Sequence, residues 1–322
     1  MRLSATTRRG ARAATALVGA FVLALTACSS SSSPSKGSKS SAPKGTASFP
    51  TVKGNYGTKP TLTFPNANPT TALQVKVLSE GSGPVVAKGQ LLIADYLGEI
   101  WRGKVFDNSY DRKQPIATPI GTGSVIKGWD TGLVGKHVGD RVLLVIPPAD
   151  GYGASGSSGA GIKGTDTLAF VIDIVSTYSK TDVGDKKATL QRVSTAPVTV
   201  TGALGARPKI TVTKGAAFPT AAKTTVLAKS TGAPIKAGFV VLQYEAIYYN
   251  GTVADSTYVR GQPQATAVGA TGQASPFDGL IGVPIGSRVL IVTPAQTSAG
   301  KATALAIVAD VIAQSGPSKA KG

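Results

Sequence analysis

The stretch VIKGWDTGLVGKHVGDRVLLVI, residues 125–146, decides the fold of this chain. Trp129 and Leu133 stand four apart in WDTGLV, so one short helix would turn both side chains to the same face. GKHVGD then reads as a polar turn, and Arg141–Ile146 is an aliphatic run of strand length closed by Pro147. Leu91–Tyr96 and Leu168–Val175 are similar runs, bounded by Gly, Pro and Asp. The pattern predicts an antiparallel sheet with one short helix laid on it, an α+β arrangement. Gly 39 and Pro 20 among 322 residues favour such a turn-rich fold over a helical bundle.

The same unit is written twice. PTLTFP (from Pro60) returns as PKITVT (from Pro208), and VLSEGSGPVVAKGQ returns as VLAKSTGAPIKAGF. VFDNSYDRKQP returns as VADSTYVRGQP, and GLVGKHVGDRVLLVIPP returns as GLIGVPIGSRVLIVTPA. The matches keep their order. A chain of this length accommodates two domains, each large enough to bury a core. We expect them at residues 59–179 and 201–314, with a polar linker at 180–200 and a disordered tail at 315–322.

Composition excludes several chemistries. One Cys and one His cannot supply the roughly four N/S ligands of a structural zinc site. They also leave no intramolecular disulfide. A Ser-His-Asp or Cys-His device would have to use His137, which sits in the polar turn and reads as a surface residue. Neither a metal nor a cofactor is expected. The net charge of +18 is not a nucleic-acid signature, because Arg2, Arg8, Arg9 and Arg12 fall in the N-terminal segment. Residues 60–179 carry ten basic and ten acidic residues, and no basic stripe interleaved with aromatics is visible.

That N-terminal segment has a basic start and an apolar run from Ala13 to Ala27, too short to span a bilayer comfortably. LTAC, ending at Cys28, resembles a bacterial lipobox, and Cys28 is the only cysteine. The expectation is a signal peptide over 1–27, lipidation at Cys28 and an extracytoplasmic, membrane-anchored protein. Residues 28–58 are rich in Ser, Lys, Pro and Gly and are expected to form a flexible tether.

Five motifs stand in order within residues 71–178. They are DYLG (95–98), GKVFDNSYDRKQP (103–115), VIKGWDTGLVGKHVGDR (125–141), PPADGYG (147–153) and LAFVIDIV (168–175). Together they resemble an FKBP-type peptidyl-prolyl isomerase domain. The resemblance implies a proline pocket with Tyr96, Phe106, Tyr152 and Phe170 as walls and Trp129 as floor. Val125 and Ile126 would line one side, with the Ile126 backbone N–H binding a substrate carbonyl. Asp107 would sit at the rim beside Arg112, and Ile162 would cover the pocket. Two features depart from the family pattern. Ile116, a further substrate-binding candidate, stands where phenylalanine is frequent. The loop GASGSSGAGIKGTD lacks a histidine often found there. Both leave substrate preference open, and the placement of Ile162 with it.

The residues also have simpler readings. Tyr96 and Phe170 could serve strand packing alone, and Asp107 with Arg112 could be a structural ion pair. Tyr152 lies between glycines in a turn, where a large aromatic has no packing reason to be. Trp101 reads as a hairpin aromatic outside the pocket. The second copy keeps Tyr244, Asp255 and Arg260 but has Ala254 at the place of Phe106. It has GQASPFDGL in place of SVIKGWDTGL, with Phe277 at or beside the tryptophan, and no counterpart of Tyr152. It reads as a degenerate, non-catalytic repeat. The expected function is X–Pro isomerisation in exported polypeptides, with macrolides as further possible ligands. The alternative is a non-catalytic lipoprotein that binds proline-containing segments or a partner.

Overall fold

The computed structural model describes residues 49–269, 275–298 and 301–316. The expected signal peptide, Cys28 and most of the expected tether and tail lie outside the described residues. Both repeats lie within one compact body. The first repeat contains β1 (Thr51–Lys53), β2 (Thr61–Thr63), β3 (Gln74–Ser79), β4 (Leu91–Ile100), β5 (Val105–Asn108), α1 (Ser109–Arg112), β6 (Ile116–Pro119), α2 (Lys127–Leu133), β7 (Arg141–Ile146) and β8 (Leu168–Tyr178). Its sheet is antiparallel in the order β3-β7-β8-β4-β5, with β6 also paired to β4.

The second repeat contains β9 (Thr189–Leu190), β10 (Val198–Thr201), β11 (Lys209–Val212), β12 (Lys223–Lys229), β13 (Gly238–Tyr248), β14 (Val253–Ser256), α3 (Thr257–Arg260), β15 (Gln264–Val268), β16 (Arg288–Val292), β17 (Gln296–Ser298), β18 (Lys301–Thr303) and β19 (Leu305–Ser315). Its sheet runs β9-β12-β16-β19-β13-β14, with β15 on β13. Apart from β9, this is the first sheet's order repeated. The expected helix is not repeated. Its place is taken by a single 3-10 turn, Asp278–Leu280.

In the first repeat α2 lies on β7, and the glycines of KGWDTGL explain how closely. A Cβ at Gly128 would meet Ile146 at 2.7 Å, and one at Gly132 would meet Leu144 at 2.7 Å. Gly128 and Gly132 let the helix touch the strand, so Trp129 and Leu133 enter the core beside Leu92, Tyr96, Phe170 and Ile172. Asp130, on the same helix, accepts the N–H groups of Gly121 and Gly123, each at 2.6 Å, and so fixes the loop that leads into Val125 and Ile126.

Two expected boundaries are corrected. Residues 49–58, expected in the tether, are folded: β1 pairs with β2, and the turn between them is wired to a buried ion pair. Arg141 and Asp173 face each other at 2.6 Å with almost no exposure. Arg141 also donates to the carbonyls of Gly54 (2.6 Å) and Thr58 (2.7 Å), while Gly57 N–H and Tyr110 Oη donate to Asp173. Burial alone would lower the Arg141 pKa, but the hydrogen bonds and charge of Asp173 outweigh it and leave it raised. The second repeat has the same device: Arg288 holds Asp310 and the carbonyls of Ala203 and Ala206. Residues 180–200, expected as a linker, belong to the second repeat. β9 extends its sheet beside β12, Asp185 N–H donates to Gly286, and β10 pairs with β11.

Candidate active site

An open cavity of about 430 Å³ lies between the first sheet, α2 and the loops around it. Its lining is Tyr96, Phe106, Asp107, Ile116, Ser124, Val125, Ile126, Trp129, Tyr152 and Phe170. Nine of these residues are sequence candidates, and Ser124 is an addition. The size suits a small ligand or a single side chain with its flanking peptide.

The walls are an aromatic stack assembled edge to face. Tyr96 and Trp129 have ring centroids 5.4 Å apart, Trp129 and Phe170 5.4 Å, and Phe106 and Phe170 5.5 Å, with interplanar angles of 81°, 87° and 83°. Such pairs are favoured by ring quadrupoles, so the stack is self-bracing. Strand geometry supplies Tyr96 and Phe170, which sit on neighbouring strands β4 and β8. Phe106 reaches over from β5 only because residue 98 has no side chain: a Cβ at Gly98 would stand 2.6 Å from Phe106 and 2.7 Å from Phe170. Gly98 was not among the sequence candidates, although it closes the DYLG motif.

One rim is polar. Arg112 Nη1 pairs with Asp107, the Tyr96 hydroxyl donates to Asp107, and Arg112 Nη2 donates to that hydroxyl at 2.9 Å. Burial, then the Asp107 acceptor, pushes the Tyr96 phenol up to about 12. The guanidinium also lies 5.7 Å from the Tyr96 ring centroid. Arg112 therefore holds the rim from behind and is not part of the lining. The opposite side is Val125 and Ile126. Ile126 precedes the first turn of α2, and its backbone N–H has no acceptor among the described residues. A helix start leaves such donors unsatisfied, which makes this one available to a carbonyl.

Tyr152 stands at the mouth, 39% exposed, after a 3-10 turn, Pro148–Asp150, that is tied to α2 by Lys127–Asp150. Ile162 does not cover the cavity. It is 4% exposed and sits in the core beside Ala160, because the glycine-rich loop folds back on itself through Ser157 and Ile162. Trp101 packs on Phe64 at 5.1 Å, away from the cavity. His137 is exposed in its turn, with Nδ1 2.9 Å from the Gly83 carbonyl. No group of His, Cys, Asp and Glu among the described residues could hold a metal ion.

The family model described as FKBP-type peptidyl-prolyl cis-trans isomerase matches residues 83–175. An "FK506-binding protein" of Streptomyces anulatus is 41% identical over 118 residues, 36% of this chain and 95% of that protein. The chain belongs to the FKBP-type peptidyl-prolyl cis-trans isomerase family. Another "FK506-binding protein", of Neisseria meningitidis serogroup A, is 39% identical over 107 residues, 33% of this chain and 97% of its own length. A solved structure described as "Crystal structure of AtFKBP13" is 38% identical, covers 33% of this chain and 93% of that one, and has a TM-score of 0.31. The FKBP-type isomerase domain is thus the first repeat, and the cavity lies inside it.

The second repeat holds the same rim without the pocket walls. Tyr244, Asp255 and Arg260 are joined as Tyr96, Asp107 and Arg112 are. By strand register Ile307 stands at the place of Phe170 and Ala246 at that of Gly98. Gln264 replaces Ile116, and its Oε1 accepts from Tyr244 (3.0 Å) and Arg260 (2.7 Å). Phe277 packs on Tyr244 at 5.6 Å. The loop that carries Tyr152 in the first repeat is replaced by the short β17–β18 hairpin.

Proposed function

We propose that the first repeat isomerises X–Pro bonds in exported polypeptides, from a lipid-anchored position at the cell envelope. The observation that carries the mechanism is the aromatic cavity with one free backbone donor at its side. Rotating an amide costs about 18–20 kcal/mol because resonance is lost. At the twisted transition state the carbonyl dipole is smaller, so a dry aromatic surround suits it better than the planar ground state. Trp129, Phe170, Tyr96 and Phe106 receive the proline ring. The Ile126 N–H holds the carbonyl on one side of the bond while the other side turns. No nucleophile and no proton transfer are required. Tyr152 and Ile116 contact the residues flanking proline, and macrolides that bind FKBP-type relatives compete for the same space. The second repeat, without these walls, is non-catalytic.

Proline-peptide isomerisation by the full chain tests this directly. Phe106→Ala and Trp129→Ala should lower kcat/KM with the fold retained. A folded chain with no rate above background refutes the catalytic reading. If it still binds proline peptides, the non-catalytic binding alternative takes its place. The anchor rests on residues 1–28. Cys28→Ser should release the protein from the membrane fraction, and retention of the variant there refutes the anchor.

A further inference from the structure

The two repeats meet through an apolar layer that has an internal symmetry. Leu91, Ile93, Ala117, Val175 and Tyr178 of the first repeat pack with Val241, Ala265, Ile312 and Ala313 of the second. Strand register makes several of these positions equivalent. Ile93 faces Ala117 and Ser176 across its ladders, and Val241 faces Ala265 and Ala313 across the corresponding ones. The register shifts after Ile93 and after Val241, leaving Val175 of β8 and Ile312 of β19 as equivalent bulge residues. Each repeat therefore offers the same patch of the same sheet face.

One hydrogen bond crosses the margin of this layer. Gln262 Nε2 donates to the Gly89 carbonyl at 3.1 Å. By strand register the equivalents of these two residues are Gln114 and Ala237, which border a crevice lined by Lys113, Pro115, Ala237 and Gly238 rather than forming the same hydrogen bond. Self-complementary use of one patch is the mark of a twofold, isologous interface.

This interface lies one sheet thickness from the catalytic cavity. On β4, Leu92, Ala94 and Tyr96 face the core and cavity, while Leu91 and Ile93 face the second repeat. On β6, Ile116 lines the cavity and the next residue, Ala117, enters the interface. Lys113 directly follows Arg112 of the rim. We infer that the second repeat is the built-in twofold partner of the catalytic repeat, and that it positions Ile116 and the Tyr96–Arg112 rim by backing β4 and β6. Packed interiors transmit small displacements, so a wall one strand thick is set partly by what lies behind it. The second repeat lacks the aromatic walls and keeps the docking face, which fits a positioning role. Val241, Ala265 and Ile312 act through β4 and β6; they touch no substrate.

The test uses the full chain carrying Val241→Asp with Ile312→Asp, and Ile312→Ser as a milder variant should the first not fold. The kinetic arm rests on the isomerase reading; the scattering arm does not. Small-angle scattering should show the repeats apart. Light scattering should show concentration-dependent dimers, because the first repeat's freed face complements itself. For proline peptides kcat/KM should fall roughly 3- to 30-fold, with a matching loss of FK506 affinity and unchanged near-UV circular dichroism. An unchanged scattering profile in the folded double variant overturns the docking face. Separated repeats with kcat/KM and FK506 affinity within about twofold of the parent overturn the positioning role. If the parent itself shows no turnover, the isomerase reading fails, and FK506 affinity still decides the coupling: a loss supports it and no change overturns it.

Discussion

Gly98→Ala separates the fold from the pocket within one residue. The added Cβ would stand 2.6 Å from Phe106 Cζ and 2.7 Å from Phe170 Cε1. Ordinary carbon contacts are about 3.5–4.0 Å, so the two rings must retreat by about 1 Å. Overpacking of this kind costs about 1–3 kcal/mol, and a displacement of about 1 Å at a reacting centre lowers rate by up to about 100-fold. Gly98→Ala should therefore lower both the urea midpoint and kcat/KM, the latter by roughly 10- to 100-fold. The second repeat supplies the control. There Ala246 sits with Ala254 and Ile307, and all three pack in the core without either ring. In a Phe106→Ala, Phe170→Ile background the same Gly98→Ala change meets no ring. It should then stabilise by about 0.5–1 kcal/mol, since glycine within a strand is the weaker residue. The assay is urea denaturation of the four chains together with proline-peptide turnover of the two that keep the rings. A penalty of equal size in both backgrounds refutes the claim that Gly98 exists to seat the rings. A folded Gly98→Ala chain with unchanged turnover refutes the dependence of catalysis on their placement.

Three other outcomes are expected. Asp173→Asn leaves the Arg141 charge buried without its partner and should cost about 3–5 kcal/mol in urea denaturation, whereas a loss below about 1 kcal/mol would mean the pair is not an anchor of the N-terminal hairpin. Burial and then the charge of Asp173 raise the phenols of Tyr56 and Tyr110, and burial raises that of Tyr96 to about 12. Unfolded phenols lose their protons near about 10, so above that pH the unfolded chain binds fewer protons than the folded one and stability falls. The urea midpoint should decline from about pH 10 upward; a midpoint unchanged between about pH 9 and 11.5 would contradict these shifts. Because no proton is transferred in the proposed mechanism, kcat/KM should be flat from about pH 6 to 8.5 and show no solvent isotope effect, and a bell-shaped profile would require an acid or base that the pocket reading omits.

What the sequence made legible was carried by short motifs whose partners lie nearby or repeat. WDTGLV announced the helix and its buried face, and the aliphatic runs announced the strands. The ordered matches announced the second copy, and nine of the ten cavity residues are legible as candidates in the sequence. What stayed hidden depended on contacts from far along the chain. Residues 49–58 looked like tether because they adjoin a Ser/Lys-rich run, yet Gly57 and Tyr56 bond to Asp173 and Ile174, more than 100 positions away. A local clue existed: Gly54-x-x-Gly57-x-x-Pro60 recurs as Gly202-x-x-Gly205-x-x-Pro208, the turns that cap Arg141 and Arg288. Ile162 was misplaced because its loop is glycine-rich and has no periodicity to fix a facing direction. Leu91-Leu92-Ile93-Ala94 reads as a continuous apolar run because both faces of β4 are covered, one by the core and the other by the second repeat.

The two repeats together assign energy and function to different parts of the site. The Tyr–Asp–Arg rim is present in both, with its guanidinium 5.7 Å from the tyrosine ring centroid in one and 5.6 Å in the other. It persists in the second repeat, where the phenylalanine walls are gone and Gln264 Oε1 lies within 3.0 Å of the rim hydroxyl. Its ion pairs are 40–46% exposed, a setting in which such pairs contribute about 1 kcal/mol or less. The rim therefore belongs to the fold, as the clasp that ties α1 to β4 and α3 to β13. The buried Arg141–Asp173 and Arg288–Asp310 pairs also belong to the fold, since each joins a repeat's sheet to its N-terminal hairpin. The first repeat has, and the second lacks, the rings of Phe106, Trp129 and Phe170, the apolar Ile116, the Val125–Ile126 wall and the Tyr152 loop. On the proposed reading, in which only the first repeat turns over X–Pro bonds, catalysis depends on that difference. A chain that carries both versions gives its own control, because any variable the repeats share cannot by itself make one of them an isomerase.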